Sequence, residues 1–353
     1  MQKLGEISMR KHFSEFYKPS IKEIKQLWDK SIFVFDANVL LDFYRFSKTT
    51  SDLLFDIFEK LKSREQLWIP YQAGFEFHKH RVGVIDLETA EYDRLIDYFT
   101  QEFPGQAKQS FYKNCSSHPY IDTEKFMKKI SKLGLDISKN IDSLKTNHPD
   151  LIKSDPILPK LTKLFDGLVG DPYDQEKLQE IYREGAERYS KRIPPGYSDS
   201  KKSEPESYGD LVFWFQIIDK AKASKKPVIL ITRDRKEDWW SSRKSGEKEG
   251  ARKELIREIK NKAGVDFHIY EIDNFINLAA KELKIKITSR SKREIKIFLK
   301  DREEISDVGI AEGLDDVGVA ANSSGIVASY VGESSLISQP IVEKKKKPSK
   351  KTK

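Results

Sequence analysis

Short apolar runs that stop at a carboxylate constrain this chain more than any other feature. Asp36 ends the run Ser31-Ile32-Phe33-Val34-Phe35, and Glu76 lies beyond Leu67-Trp68-Ile69-Pro70. Asp210 opens Leu211-Val212-Phe213-Trp214-Phe215, and Asp234 follows Val228 to Arg233, with Asp238 one helical turn later. Runs of this length and composition fit strands buried on both faces of a parallel sheet. Parallel strands deliver their end residues to one edge, which is where open α/β sheets bind ligands. Carboxylates crowded there repel one another unless a cation sits among them. Hard divalent cations held by carboxylates typically handle phosphates.

Between these runs the periodicity is helical. Ile21–Trp28 is expected to be a short helix. Thr49–Leu61 places Leu53, Leu54, Ile57, Phe58 and Leu61 on one side. Pro70 suits the first turn of a helix that carries Glu76 past Arg81. From Val84 to Tyr189 apolar residues recur at helical spacing, which predicts a helical insertion over about 84–192. Breaks are expected near Pro104-Gly105, Pro119, Pro149, Pro156 and Pro159, and a protein partner could dock on the insertion. A helix over Ser207–Ala223, a strand over Pro227–Thr232, a helix over Lys248–Lys262, a strand over Val265–Tyr270 and a helix over Asn274–Leu283 complete the pattern. The expectation is a three-layer α/β/α sandwich with a mostly parallel central sheet. Residues 1–30 form a helical lead-in, 31–287 the domain, and 288–353 a flexible tail.

Charge matters chiefly for its location. The formal net charge is +8, but the last eleven residues carry seven Lys and one Glu, leaving the rest near +2. A basic tail therefore hangs from a nearly neutral body, so overall basicity says little about what the body binds. The single Cys115 excludes internal disulfides and cysteine-based zinc sites, which fits a reducing, cytoplasmic setting. His78 and His80 are spaced to face different sides of a helix, so they do not form a chelating pair. No apolar run approaches the length that crosses a membrane, and Met1–Arg10 lacks the apolar core of a secretory signal.

Each acid also has a plain structural role available. Asp36 can cap the next helix, Glu76 can sit on a solvated face, and Asp234 and Asp238 can belong to a charged turn. Asp210 has the best such role: Ser207-Tyr208-Gly209-Asp210 reads as a capping box. Those roles do not explain why all the acids fall at strand ends or helix starts.

The chain resembles the PIN-domain nucleases, more narrowly the large bacterial PIN-like proteins. The resemblance rests on Phe35-Asp36-Ala37-Asn38-Val39-Leu40-Leu41-Asp42 and on Trp68-Ile69-Pro70-Tyr71-Gln72 leading to Glu76-Phe77-His78. It continues through Pro194-Pro195-Gly196-Tyr197, Tyr208-Gly209-Asp210-Leu211 and Ile231-Thr232-Arg233-Asp234 to Asp238-Trp239-Trp240. It implies a metal-dependent endoribonuclease with Asp36, Glu76, Asp210 and Asp234 as catalytic acids. Mg²⁺ or Mn²⁺ would be held by Asp36, Asp210, Asp234 and the lower-ranked Asp238, supported by Asn38, Thr232 and Asp199. Arg81, Lys201, Lys202, Arg233, Arg235 and Lys236 are candidate contacts to the RNA backbone, and Tyr71, Tyr197 and Trp239 candidate stacking partners for bases. Small PIN toxins lack an insertion of this size, so the toxin role does not carry over.

Other readings fit less well. A haloacid-dehalogenase-type phosphatase needs a second Asp two residues after the first, where this chain has Asn38. A dinucleotide-binding fold needs a glycine-rich turn after the first strand, which Asp36-Ala37-Asn38 does not provide. A catalytically weak PIN-like module that only binds RNA or a partner remains the non-enzymatic alternative.

Overall fold

A computed structural model describes residues 8–115, 120–243, 245 and 248–306. The expected linker and Lys-rich end, the first seven residues and the break at Pro119 lie outside these. In chain order the elements are α1 (Met9–His12), α2 (Ile21–Lys30), β1 (Ile32–Phe35), α3 (Ala37–Leu41), α4 (Lys48–Ser63), β2 (Leu67–Trp68), α5 (Tyr71–Asp97), α6 (Phe103–Cys115), α7 (Thr123–Thr146), α8 (Leu158–Phe165), α9 (Gln175–Ser190), α10 (Gly209–Ser224), β3 (Val228–Thr232), β4 (Trp240–Ser242), β5 (Lys248–Ala251), α11 (Lys253–Ala263), β6 (Phe267–Glu271), α12 (Ile272–Glu282) and α13 (Ser289–Ser306).

Four strands form one parallel sheet in the order β2-β1-β3-β6. The chain runs from β1 outward to β2, then returns past β1 to β3 and β6. The β1/β3 boundary is thus the point where strand order reverses, and the crevice above it is where such sheets hold ligands. Register places Phe35 beside Ile231, so Asp36 and Thr232 emerge side by side.

Alternation along the strands fills two cores. Phe33, Phe35, Ile229 and Ile231 pack with Trp28, Leu54, Phe58 and Phe275 on one face. Ile32, Val34, Val228 and Leu230 pack with Leu211, Trp214, Ile217, Leu255 and Ile259 on the other. Helices therefore cover both faces, giving the expected three-layer α/β/α architecture. Among the described residues no helix is long and apolar enough to cross a membrane.

Four local expectations are corrected. Pro104-Gly105 does not break the helix: a π-helical segment over Tyr98–Glu102 joins α5 to α6. The shifted hydrogen-bond register accommodates a residue that lacks an N–H. Here α7 passes so close that a Cβ on Gly134 would lie 2.1 Å from the Phe99 carbonyl oxygen. Lys248–Ala251 is a strand rather than the start of a helix, and pairs antiparallel with β4. Ser289–Ser306 is helical where a flexible tail was expected, docked by Ile295 and by Glu294, whose carboxylate accepts from the hydroxyls of Ser47 and Thr50 at 2.6 and 2.7 Å. Finally, α10 begins at Gly209 with no side-chain cap, so the capping box does not form and Asp210 is left for other contacts.

Candidate active site

The site is built where β1 and β3 end. Asp36 occupies the N-cap position of α3 but makes no capping hydrogen bond. Its Oδ2 instead accepts from the Thr232 hydroxyl at 2.6 Å and the Asn38 amide at 2.7 Å. The same hydroxyl accepts from the Asp234 backbone N–H at 2.8 Å, and Asn38 Oδ1 accepts from the Arg233 N–H at 3.1 Å. Thr232 and Asn38 thus fix Asp36 and the backbone of Asp234 in one network.

Two helices bring the other acids. Glu76 lies one turn beyond Gln72 on α5, and Gln72 Nε2 donates to Glu76 Oε1 at 2.7 Å. A Cβ on Gly209 would meet that oxygen at 3.0 Å, so Glu76 packs on the first turn of α10, next to Asp210. Asp210 Oδ2 accepts from Trp239 Nε1 at 3.4 Å. Gly196, with φ +91°, approaches Asp210 on another side, where a Cβ would stand 3.2 Å from Asp210 Cβ.

The Pro194–Asp199 loop is held from behind. Arg188 pairs with both oxygens of Glu258 at 2.7 and 2.8 Å and donates to the Pro194 carbonyl. Glu258 also accepts from Trp214 Nε1 at 2.8 Å. Asp238 is fully buried, and its Oδ2 accepts from the Gly196 and Ser198 N–H groups at 3.0 Å each. Asp238 therefore ties the loop to the end of β3, and only its Oδ1, buried without a partner among the described residues, remains.

Crowding shows in the protonation behaviour. Burial pushes Glu76 up to about 7, with the charge of Asp36 adding to the effect. Burial raises Asp234 to about 6, opposed by Lys236 and reinforced by Asp238 and Asp36. Asp210 is raised well above the usual carboxylate range by burial, opposed by Lys236 and reinforced by Asp199, Asp234 and Asp238. Asp36 is raised by burial against the bonds it accepts. Asp36, Glu76, Asp210 and Asp234 are thus each disfavoured as anions, and charge effects link Glu76 and Asp234 to Asp36, and Asp210 to Asp234.

A model of the PIN like domain family matches residues 32–255. The chain belongs to the PIN-like domain family. No curated protein and no solved structure matches it. The family assignment agrees with the parallel sheet, and the matched residues include the elements that carry Asp36, Glu76, Asp210 and Asp234.

Several residues expected at this PIN-like site serve elsewhere. Arg233 is buried and ion-paired with Asp42, which is fully buried and also within 3.4 Å of Arg45. Arg81 pairs with Asp155 at 2.7 Å, and Arg235 with Glu271 at 3.2 Å. Trp239 and Tyr197 are buried, which leaves Tyr71, stacked at 6.4 Å on the exposed Phe75, as the accessible aromatic of the three. Lys201 is exposed, while Lys202 pairs with Asp199 at 3.3 Å. Gln72 and Asp42 are supporting residues that the sequence reading missed. Gln72 was detectable, because i,i+4 side chains on a helix face each other.

In donor chemistry the residues suit a hard divalent cation, since carboxylate oxygens dominate. As they stand, no group of three or more His, Cys, Asp or Glu side chains among the described residues is drawn together closely enough to hold an ion. Lys236 stands between them: its Nζ lies 2.9 Å from Asp199 and 3.5 Å from Asp234.

Proposed function

We propose that this protein is a metal-dependent nuclease that hydrolyses phosphodiester bonds, with RNA as its substrate and endonucleolytic cleavage as its mode. The observation that carries the reading is Asp36. It sits at the sheet's reversal point, oriented by the Thr232 hydroxyl and the Asn38 amide, and its charge bears on Glu76 and Asp234. Mg²⁺ or Mn²⁺ would be held by Asp36, Asp210 and Asp234, and would polarise the phosphate and lower the pKa of water.

The chain's own residues supply the rest. Thr232 and Asn38 keep Asp36 from rotating. Gln72 orients Glu76, whose raised pKa suits it to take or return a proton near neutral pH. Asp238 contributes by fixing the Pro194–Asp199 loop rather than by presenting two open oxygens. Lys201 and Lys202 are proposed contacts to the phosphate backbone, and the exposed Tyr71 is proposed to stack a base. The phosphatase alternative loses further ground, because Asn38 is engaged as a hydrogen-bonding support rather than standing in for a proton donor.

The test is cleavage of single-stranded RNA, structured RNA and single-stranded DNA in Mg²⁺ or Mn²⁺, with chelator controls. Asp36→Asn and Asp210→Asn should each abolish cleavage while the fold persists by circular dichroism. Absence of metal-dependent cleavage on every substrate, or mutants as active as wild type, would leave the non-catalytic binding module as the better account.

A further inference from the structure

Lys236 is an ammonium that bears on Asp36, Glu76, Asp210 and Asp234 alike. It lies in the loop between β3 and β4, and its own N–H donates to Asp234 Oδ1 at 2.7 Å. Its Nζ is 2.9 Å from each oxygen of Asp199 and 3.5 Å from Asp234 Oδ2. It is also the main opposing charge acting on Asp210, and it acts on Asp36 and Glu76. The side chain is largely buried, at 23% exposure, so water screens these interactions poorly. Asp199 is steadied by a second cation, Lys202, at 3.3 Å.

We propose that Lys236 is the built-in counter-ion of the acidic cluster and competes with the divalent cation for it, and that Asp199 anchors the ammonium away from Asp234 instead of ligating the ion. The proposal rests on the metal-dependent reading above. Two positive charges a few ångströms apart in a half-buried site repel strongly enough to change affinity by about tenfold or more. Lysine suits the exchange, because its four-carbon stem lets the charge swing without moving the backbone. Asp199 then has a definite task. With its oxygens on Nζ, the ammonium can tip from Asp234 toward Asp199 and clear the cluster.

Mn²⁺ titration by calorimetry, with no nucleic acid present, tests this on the full chain. Lys236→Gln should bind Mn²⁺ about tenfold more tightly than wild type or better, and Lys236→Arg, which keeps the charge, should stay within about threefold. Asp199→Asn should weaken Mn²⁺ binding in the wild-type background and have no effect in the Lys236→Gln background, as a double-mutant cycle reports. Equal or weaker binding by Lys236→Gln overturns the competition. A further loss when Asp199→Asn is added to Lys236→Gln makes Asp199 a ligand and overturns the anchoring role. Should Lys236→Gln be unfolded without metal, its Mn²⁺-driven refolding is followed by circular dichroism. A midpoint at or below the wild-type Kd supports the competition, and no refolding in millimolar Mn²⁺ overturns it. If neither protein binds Mn²⁺, the metal-dependent reading itself falls with it, whereas tight but unchanged binding sinks only the role of Lys236.

Discussion

Replacing Glu76 by Gln should stabilise the metal-free protein at alkaline pH. Glu76 is packed against α10 with Asp36 close by, and burial together with that charge lifts it from 4.5 to about 7. A carboxyl whose folded pKa lies above its unfolded value binds more protons folded than unfolded between the two. Its contribution is therefore intact below about 4.5, is lost as pH rises through about 7, and stays lost above that. At about 1.4 kcal/mol per unit, the loss at pH 8 is on the order of 3 kcal/mol as an upper figure, since neighbouring acids share it. Gln at this position keeps the oxygen that accepts from Gln72 and removes the charge. For a domain of this size that corresponds to a rise in Tm of roughly 5 °C. Differential scanning calorimetry in chelator at pH 5 and pH 8 is the assay. The gain should appear at pH 8 and shrink toward zero at pH 5, and Mn²⁺ should erase it by stabilising wild type more than the variant. A variant no more stable than wild type at pH 8, or equally stabilised at both pH values, refutes the argument that Glu76 is held against its charge.

Three further outcomes follow from the contacts. Thr232→Val removes one donor to Asp36 and the acceptor for the Asp234 N–H, so Mn²⁺ affinity should fall about 10- to 100-fold with little change in Tm; calorimetry decides. Arg233→Met leaves the fully buried Asp42 with only Arg45 at 3.4 Å, and should cost about 3 kcal/mol in urea unfolding. Unchanged stability would show that the Asp42–Arg233 pair is not needed to hold the end of β3. Gly196→Ala forces a Cβ to 2.3 Å from the Tyr189 hydroxyl at a φ of +91°. It should lose about 2 kcal/mol or more of stability and, by shifting Asp210, weaken Mn²⁺ binding as well.

The sheet was legible because its strands are uninterrupted apolar runs. Ile32–Phe35 and Val228–Thr232 can hardly be anything but strands buried on both faces, and their terminal residues could be placed in advance at one edge. The hairpin was not legible, since Lys248-Glu249-Gly250-Ala251 carries one buried side chain, Ala251, which the pairing sets opposite Trp240. The helix at Ser289–Ser306 was missed for a related reason: its docking rests on one apolar side chain, Ile295, and a polar anchor, Glu294, rather than on an apolar stripe. The π segment before Pro104 shows a limit of reading proline as a stop, because a neighbouring helix can hold the shifted register in place.

The acids could be singled out as candidates from sequence, but the contacts each one makes could not. Sequence spacing puts Asp238 one helical turn beyond Asp234, and both were expected to hold the metal, with Asp238 ranked lower. Burial separates them: Asp238 is closed off and bonded to two backbone N–H groups, while Asp234 is part-exposed with Lys236 3.5 Å away. The six cations proposed for substrate divide in the same way. Asp42, Asp155 and Glu271 draw three arginines into ion pairs, and those partners sit far away in sequence. What a charged residue does at this site is decided by its nearest opposite charge. Lys236 is within reach of both Asp199 and Asp234, so on the proposed reading the affinity of the cluster for an ion depends on where that ammonium rests.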